Sequence, residues 1–89
     1  MIPPFDTDGN LPPGIHRATL FEFSDRFCVF ARSDRRLRIC KQIESLMRDA
    51  RTSNIVERVL FGGSFVTDKA EPNDFDCIVV LKPEIQYED

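Results

Sequence analysis

The chain has 89 residues, 42% hydrophobic and 30% charged, with a net charge of −3; this balance predicts one globular domain and excludes a disordered, collagen-like or coiled-coil chain. The longest apolar run, Cys77–Leu81, is far too short to cross a bilayer. Residues Met1–Asp6 carry neither a basic region nor an apolar stretch, so no signal peptide is predicted and a cytoplasmic location is expected.

Residues 1–18 are predicted to form an extended arm that lies on the body of the chain. The pairs Pro3-Pro4 and Pro12-Pro13 disfavour a helix or a central strand, and Asp8-Gly9-Asn10 is typical of a turn. The rest, residues 19–89, is predicted to be the functional domain. Four apolar side chains allow the arm to pack: Ile2, Phe5, Leu11 and Ile15.

Two amphipathic helices follow the arm. Thr19 and Glu22 have the spacing of a capping box, in which a hydroxyl and a carboxylate satisfy the first backbone donors of a helix. The apolar residues after the cap recur at helical spacing: Leu20, Phe23, Phe27 and Phe30. Ser33 is the predicted cap of a second helix over residues 34–51. Its expected buried face consists of Leu37, Cys40, Ile43, Leu46, Met47 and Ala50.

The second helix lies in the basic part of the chain. Residues 26–58 hold nine basic side chains, Arg36 among them, and four acidic ones, which gives +5 and leaves −8 for the rest. Such a segment is typical of a solvated helix face, and it also suits attraction of a polyphosphate. A nucleic-acid-binding module is a further interpretation, which the acidic total disfavours.

The three cysteines, Cys28, Cys40 and Cys77, are far apart in the sequence. None belongs to a Cys-x-x-Cys pair, and the chain has a single histidine, so a zinc site is not predicted. Because each cysteine lies among apolar residues, three buried and reduced thiols are expected.

Two predicted strands flank the residues that carry chemistry. Ile55–Phe61 is rich in branched and aromatic residues. Phe75–Leu81 is apolar on both faces, as expected for a strand in the middle of a sheet. Gly62-Gly63-Ser64 ends the first strand, and Asp74-Phe75-Asp76 begins the second.

The turn and the two carboxylates suit a phosphate and a metal ion. Glycine lets a phosphate approach the backbone, whose N–H groups form an anion cradle after a strand, and Ser64 adds a hydroxyl donor. Asp74 and Asp76 are two apart on a strand, so their side chains leave the same face while Phe75 points into the core. Mg²⁺ takes one or two carboxylates together with substrate phosphates. The alternative interpretation is a glycine turn followed by a merely solvated acidic loop.

The order Phe61-Gly62-Gly63-Ser64, a spacer, and Asp74-Phe75-Asp76-Cys77-Ile78 resembles the signature of the polymerase-beta-like nucleotidyltransferase superfamily. This resemblance lies within Val59–Leu81, about a quarter of the chain. Other segments resemble, more loosely, a bacterial family of nucleotidyltransferase-like proteins: Ile2–Phe5, Leu11–His16 and Gly63–Thr67.

The elements predict an α+β domain, and the resemblance implies that two N-terminal helices pack on a small mixed sheet of the nucleotidyltransferase type. Residues 19–89 would be the N-terminal core portion of that domain, in truncated form. By matching position, Asp74 and Asp76 are the catalytic carboxylates and bind Mg²⁺ or Mn²⁺. The implied reaction transfers a nucleotidyl group from a nucleoside triphosphate to a hydroxyl of a protein, an RNA or a small molecule. The triphosphate is expected at Gly62, Gly63, Ser64 and Lys69.

One departure from the superfamily pattern leaves the activity open. A third carboxylate, the base for the attacking hydroxyl, normally comes from a later strand, whereas Glu84, Glu88 and Asp89 lie in no strand-like run. The alternative is a catalytically inactive interaction protein, such as one member of a toxin–antitoxin or defence pair. Because an apolar strand edge is left open, a homodimer or a partner-bound chain is expected, with Asp76–Leu81 near the interface.

Overall fold

The computed structural model describes residues 1–84, and it shows an α+β chain in which two helices precede a two-stranded sheet. This coarse architecture confirms the predicted order of elements. Helix α1, Leu20–Phe23, continues into a π-helical turn at Ser24–Cys28, and a 3₁₀ turn follows at Phe30–Arg32. The later elements are helix α2 at Asp34–Ser53, strand β1 at Val56–Gly62, a 3₁₀ turn at Ser64–Val66 and strand β2 at Asp76–Leu81.

The predicted capping box at the start of α1 is present. The Thr19 hydroxyl accepts a hydrogen bond from the Glu22 N–H (3.1 Å), and the Glu22 carboxylate accepts one from the Thr19 N–H (3.0 Å). Both orphan donors are therefore satisfied within the first turn. Phe23 and Phe27 are buried as predicted, whereas Leu20 is 37% exposed.

Helix α2 begins where Ser33 caps it, because the Ser33 hydroxyl accepts from the Arg36 N–H (3.2 Å), and it ends at the left-handed Asn54. The predicted buried face is wrong at Leu37, which is 45% exposed. The prediction assigned only apolar residues to the buried face of α2. The observed buried face instead includes the charged residue Arg36, so it is rotated away from Leu37. The buried residues of α2 are Arg36, Ile39, Cys40 and Ile43.

Within residues 1–84, no helix is both long and apolar enough to span a membrane.

The two strands pair in antiparallel orientation, with Gly62 opposite Asp76. A shift of register between Val56 and Arg58 marks a bulge near the start of β1. The described part of the sheet is therefore antiparallel, not mixed as expected, because β2 returns directly beside β1.

The prediction that β2 is buried on both faces is wrong for this chain. Ile78 is 64% exposed and Val79 is 42% exposed. The reason is geometric: among residues 1–84 the sheet has only these two strands, and the helical layer packs mainly on β1. An apolar strand is thus left with its outer surface in solvent.

A phenylalanine-rich core joins the helices to the turn after β1. The Phe23 ring lies 5.2 Å from the Phe27 ring and 5.9 Å from the Phe65 ring, measured between centroids, which is the range of favourable aromatic pairs. Ile15 is 69% exposed and does not share in this packing. Three predicted residues of the arm do pack against the core: Ile2, Phe5 and Leu11.

Cys28 and Cys40 are buried as expected, but the expectation that all three cysteines are buried and reduced is wrong. Cys28, which ends the π-helical turn, and Cys40 in α2 form a disulfide, with Cα atoms 5.8 Å apart. Cys77 is free but exposed on β2. The bend at Phe30–Arg32 folds α2 back beside the π-helical turn, and the spacing of cysteines in a sequence does not reveal such a bend.

Candidate functional site

Strand β1 delivers the glycine turn directly beside the second predicted carboxylate. Gly62, the last residue of β1, pairs with Asp76, the first residue of β2. Gly63 has φ 78° and ψ −168°, a conformation essentially restricted to glycine. A Cβ added to Gly63 would stand 2.9 Å from Oδ2 of Asp76. The two halves of the sequence motif therefore meet at one point of the surface.

The backbone after this turn is internally bonded. The Val66 N–H donates to the Gly63 carbonyl (3.3 Å), and both the N–H and the hydroxyl of Thr67 donate to the Ser64 carbonyl (3.3 and 2.7 Å). Phe65, fully buried, anchors the 3₁₀ turn in the core. Ser64 begins this turn and is half-buried. The glycines are thus followed by a single short 3₁₀ turn.

Asp74 and Asp76 lie on either side of Phe75 at the entry to β2. Both carboxylates are exposed, while Phe75 is half-buried and its ring lies 5.9 Å from that of Phe61. One Asp74 oxygen accepts from the N–H of Phe75 (2.7 Å), which leaves the other oxygen without an intramolecular partner among the described residues. The alternation predicted from the sequence, with the aromatic ring inward and the carboxylates outward, agrees with this arrangement.

These side chains fit a metal ion that arrives with its ligand rather than one held by the protein alone. Within residues 1–84, no three histidine, cysteine, aspartate or glutamate side chains are grouped closely enough to hold a metal. Two exposed carboxylates, of which that of Asp76 lies beside the glycine turn, are a donor set that Mg²⁺ takes when phosphate oxygens and water complete its shell. The oxygen-only chemistry of Asp74 and Asp76 also suits Mn²⁺.

Lys69 lies in the loop that follows the 3₁₀ turn, and it is exposed. Its carbonyl accepts hydrogen bonds from the Nε and one Nη of Arg36 (3.1 and 2.5 Å), and its N–H donates to the Thr67 hydroxyl (3.2 Å). The loop thus fixes the backbone of Lys69, and its ammonium makes no hydrogen bond or ion pair in the described part of the chain.

Arg36 is the residue that the sequence interpretation missed. The basic segment 26–58, to which Arg36 belongs, is typical of a solvated helix face, yet Arg36 is fully buried. Burial lowers the pKa of its guanidinium, and the charge of Asp68 opposes that shift. A signal was present in the sequence: Arg36, Ile39, Cys40 and Ile43 recur at helical spacing, so this arginine lies in line with an apolar stripe.

A groove of 780 Å³ lies elsewhere, between the arm and β1. Its walls include Leu11 and Arg17 from the arm and Glu57–Phe61 from the strand, and none of its lining residues belongs to the glycine turn or the Asp pair. The candidate site is therefore an exposed turn and not a cavity. A nucleotide bound there would lie on the surface of this chain.

The third carboxylate stays unassigned. Glu84 is exposed in a turn that follows β2, and Glu88 and Asp89 lie outside the described residues. Within residues 1–84 the carboxylate that meets the glycine turn is that of Asp76, and Asp74 precedes it by two residues.

Comparison with known protein families matches residues 3–89 to a family described as a family of unknown function, DUF6932. No curated protein and no solved structure was found to match the chain. The family match includes the arm, both helices, the glycine turn and the Asp pair. Since it extends over nearly the whole sequence, the chain belongs to the DUF6932 family.

Proposed function

We propose that this chain is a metal-dependent nucleotidyltransferase-like domain, which binds a nucleoside triphosphate at Gly62-Gly63-Ser64 and transfers its nucleotidyl group to a hydroxyl acceptor. The observation that carries the proposal is the meeting of Gly63 and Asp76, with Oδ2 of Asp76 only 2.9 Å from where a Cβ of residue 63 would stand. A phosphate on the turn would lie within reach of a metal ion on that carboxylate.

Each residue has a distinct part in binding. The missing side chain at Gly63 opens the backbone to a phosphate oxygen, and the Ser64 hydroxyl adds a donor. The exposed oxygens of Asp74 and Asp76 would hold Mg²⁺ or Mn²⁺ against the phosphates. The ion, when bound, offsets the charge that develops on the leaving pyrophosphate. Lys69, in the loop that follows the Ser64–Val66 turn, would add positive charge near the same phosphates.

Calorimetric titration of the chain with ATP, with and without Mg²⁺, tests the binding part of the proposal. Asp74→Asn and Asp76→Asn are expected to abolish the Mg²⁺-dependent part of the affinity and to leave the fold intact, because both side chains are exposed. Asp49→Asn is the matched control, since Asp49 is exposed on α2 far along the chain from the turn. Equal MgATP affinity in all three variants and the parent would contradict the assignment of a metal site to Asp74 and Asp76.

Transfer of an α-phosphate label from ATP to the chain, or to added RNA or protein, tests the catalytic part. Mg²⁺-dependent labelling that Asp76→Asn abolishes is the expected result. Binding without labelling would instead support the inactive interaction protein, the alternative that agrees with the lack of any group of three histidine, cysteine, aspartate or glutamate side chains within residues 1–84. Repeating the titration with the other nucleoside triphosphates identifies the preferred base.

A further inference from the structure

We infer that Arg36 is a positioning residue for the nucleotide site: from inside the protein it sets the backbone of the glycine turn and of the loop after it. This inference rests on the proposed function. It assigns a role to a residue that is fully buried and therefore does not itself contact a ligand at the surface.

The guanidinium of Arg36 uses every N–H donor it has. Nε and one Nη donate to the Lys69 carbonyl, and the latter also donates to the Thr67 carbonyl (2.8 Å). The other Nη donates to the carbonyls of Phe27 (3.0 Å) and Phe65 (2.8 Å). Four carbonyls from two separate segments thus converge on one planar group, a geometry that the fork of arginine permits.

Two short chains of hydrogen bonds, or relays, connect Arg36 to the glycine turn. The peptide unit between Phe65 and Val66 accepts from Arg36 at its carbonyl and donates to the Gly63 carbonyl at its N–H (3.3 Å). Thr67 likewise accepts from Arg36, and its N–H and hydroxyl both donate to the Ser64 carbonyl. Gly63 is therefore linked to the buried guanidinium through one peptide unit, and Ser64 is linked to it through one residue, Thr67.

The planarity of the peptide bond explains how a hydrogen bond on the inner side of the loop also orients the N–H group on its outer side. In a trans peptide the carbonyl and the following N–H point in opposite directions. Because the Thr67 carbonyl is turned toward Arg36, the Asp68 N–H is turned away, and it donates to the Gly9 carbonyl of the arm (2.9 Å). The loop is thereby held between helix α2 and the arm.

Gly9 completes this hold from outside. It has φ 80°, and a Cβ at this position would collide with the Asp68 carboxylate. In the arm, the Asp6 carboxylate accepts from the N–H groups of Asp8 (2.9 Å) and Asn10 (3.0 Å), which shapes the turn that presents Gly9. The loop at Thr67 and Asp68 is thus held by Arg36 from inside and by Gly9 from outside. Neither residue belongs to the glycine–aspartate motif.

The charge of Arg36 is stabilised without any carboxylate in direct contact among residues 1–84. Its guanidinium carbon lies 5.1 Å from the ring centroid of Phe30 and 5.0 Å from that of Phe65, so aromatic faces and carbonyl dipoles surround the cation. All its donors are committed to backbone carbonyls. The role of the charge is therefore to orient the loop and not to neutralise a phosphate.

The test compares Arg36→Lys with Thr67→Val, using Arg38→Lys as control because Arg38 is exposed on the same helix. Lysine keeps the charge but concentrates its donors on one nitrogen, so it cannot hold four separate carbonyls. Thr67→Val removes the hydroxyl that donates to the Ser64 carbonyl and accepts from the Lys69 N–H, and it keeps the backbone bonds of Thr67. Each variant is studied by calorimetry with MgATP, by thermal unfolding, and by hydrogen exchange resolved along the chain.

The expected result is a loss of MgATP affinity of about 10- to 100-fold in Arg36→Lys, the effect typical of residues that orient a ligand-binding group, and a smaller loss in Thr67→Val. Exchange should quicken at residues 64–70 in both variants and stay unchanged in α2. In Arg36→Ala, added guanidinium ion should restore affinity, as it should not in Asp76→Asn.

Three results would overturn the inference: unchanged affinity in a folded Arg36→Lys, faster exchange over the whole chain, or failure of both Arg36 variants to fold. The last two would make Arg36 a residue of general stability. Failure of the proposed function looks different, because the parent itself then binds no MgATP. In that case local exchange in Arg36→Lys alone decides whether Arg36 sets the loop.

Discussion

Gly63 and Asp76 are separated by the whole connection between the strands, yet the side of Gly63 that lacks a Cβ faces the Asp76 carboxylate. A methyl group there would stand 2.9 Å from Oδ2 and 3.3 Å from the carboxyl carbon. The neighbouring Gly62 differs, because a methyl group on it would meet no atom of residues 1–84 within 4 Å. Two adjacent glycines thus have separable roles.

Gly63→Ala is expected to destabilise the chain by about 1–3 kcal/mol, because alanine is strained at φ 78° and ψ −168°. Gly62→Ala is the matched control and is expected to change the free energy of unfolding by less than about 1 kcal/mol in either direction. Urea denaturation of both variants checks this difference. Equal stabilities would mean that the turn does not require glycine at residue 63.

Measuring MgATP affinity beside stability separates the effect of backbone strain at Gly63 from an effect on ligand binding. Gly63→Ala should also weaken MgATP binding, and Ser64→Ala should weaken it by roughly 1 kcal/mol for one lost hydrogen bond. If Gly63→Ala binds MgATP as the parent does while being less stable, the glycine turn is structural only.

The local features of the chain could be read from its sequence because they depend on neighbouring residues. The capping pair Thr19 and Glu22, the cap at Ser33 and the two strands were all predicted, and each depends on residues a few positions apart. The closeness of Gly63 to Asp76 followed from a motif whose two halves flank one connection.

Features that depend on distant parts of the chain were missed. The spacing within α2 places Arg36 in line with an apolar stripe, but the four carbonyls that it binds come from other segments, and no pattern within α2 predicts them. Cys28 and Cys40 meet because the chain bends between them. β2 was expected to be buried because its sequence is apolar, yet burial requires a neighbour that the described residues do not supply.

The disulfide between Cys28 and Cys40 is expected to contribute about 2–3 kcal/mol of stability, since it closes a loop with a sequence separation of 12. The double variant Cys28→Ala/Cys40→Ala should lower the denaturation midpoint accordingly, and a reducing agent should do the same to the parent but not to the double variant. Cys77→Ala is the control and should change little, because Cys77 is free and exposed. A reducing agent without effect on the parent would show that the bond contributes no stability.

Glu22 is expected to make stability depend on pH in the acid range. Its pKa is lowered, first by the hydrogen bond from the Thr19 N–H, then by the Thr19 hydroxyl, and further by the N-terminal ammonium of Met1. A carboxyl with a lowered folded pKa adds stability above its unfolded pKa and loses it as the pH falls through the folded value. The difference in unfolding free energy between the parent and Glu22→Gln should therefore be constant near neutral pH. It should shrink as the pH falls below the ordinary pKa range of a glutamate side chain.

Denaturation at a series of pH values measures this difference. Glu44→Gln is the control, because Glu44 is exposed on α2 and has no hydrogen-bond partner within residues 1–84. A difference that grows toward acid would contradict the assignment of Glu22 to the cap.

The exposed surface of β2 is expected to make the purified chain associate with a second copy. Ile78 is 64% exposed and Val79 is 42% exposed on a strand with an open edge, and a two-stranded sheet is marginal alone in water. A lysine on an edge strand blocks pairing with another chain, so Ile78→Lys should convert the associated form to a monomer. Phe21→Lys is the control, because Phe21 is 80% exposed but lies on α1.

Light scattering at micromolar concentration, in a Cys77→Ser background that excludes intermolecular disulfides, measures the association. Hydrogen exchange then locates it: the amides of residues 76–81 should be protected in the parent and exchange quickly in Ile78→Lys, while those of α2 stay protected in both. Equal association of Ile78→Lys and Phe21→Lys would place the contact elsewhere. A parent that stays monomeric, with fast exchange in β2, would show that this strand is stable neither alone nor by pairing, and the nucleotide site would then lack a fixed Asp76.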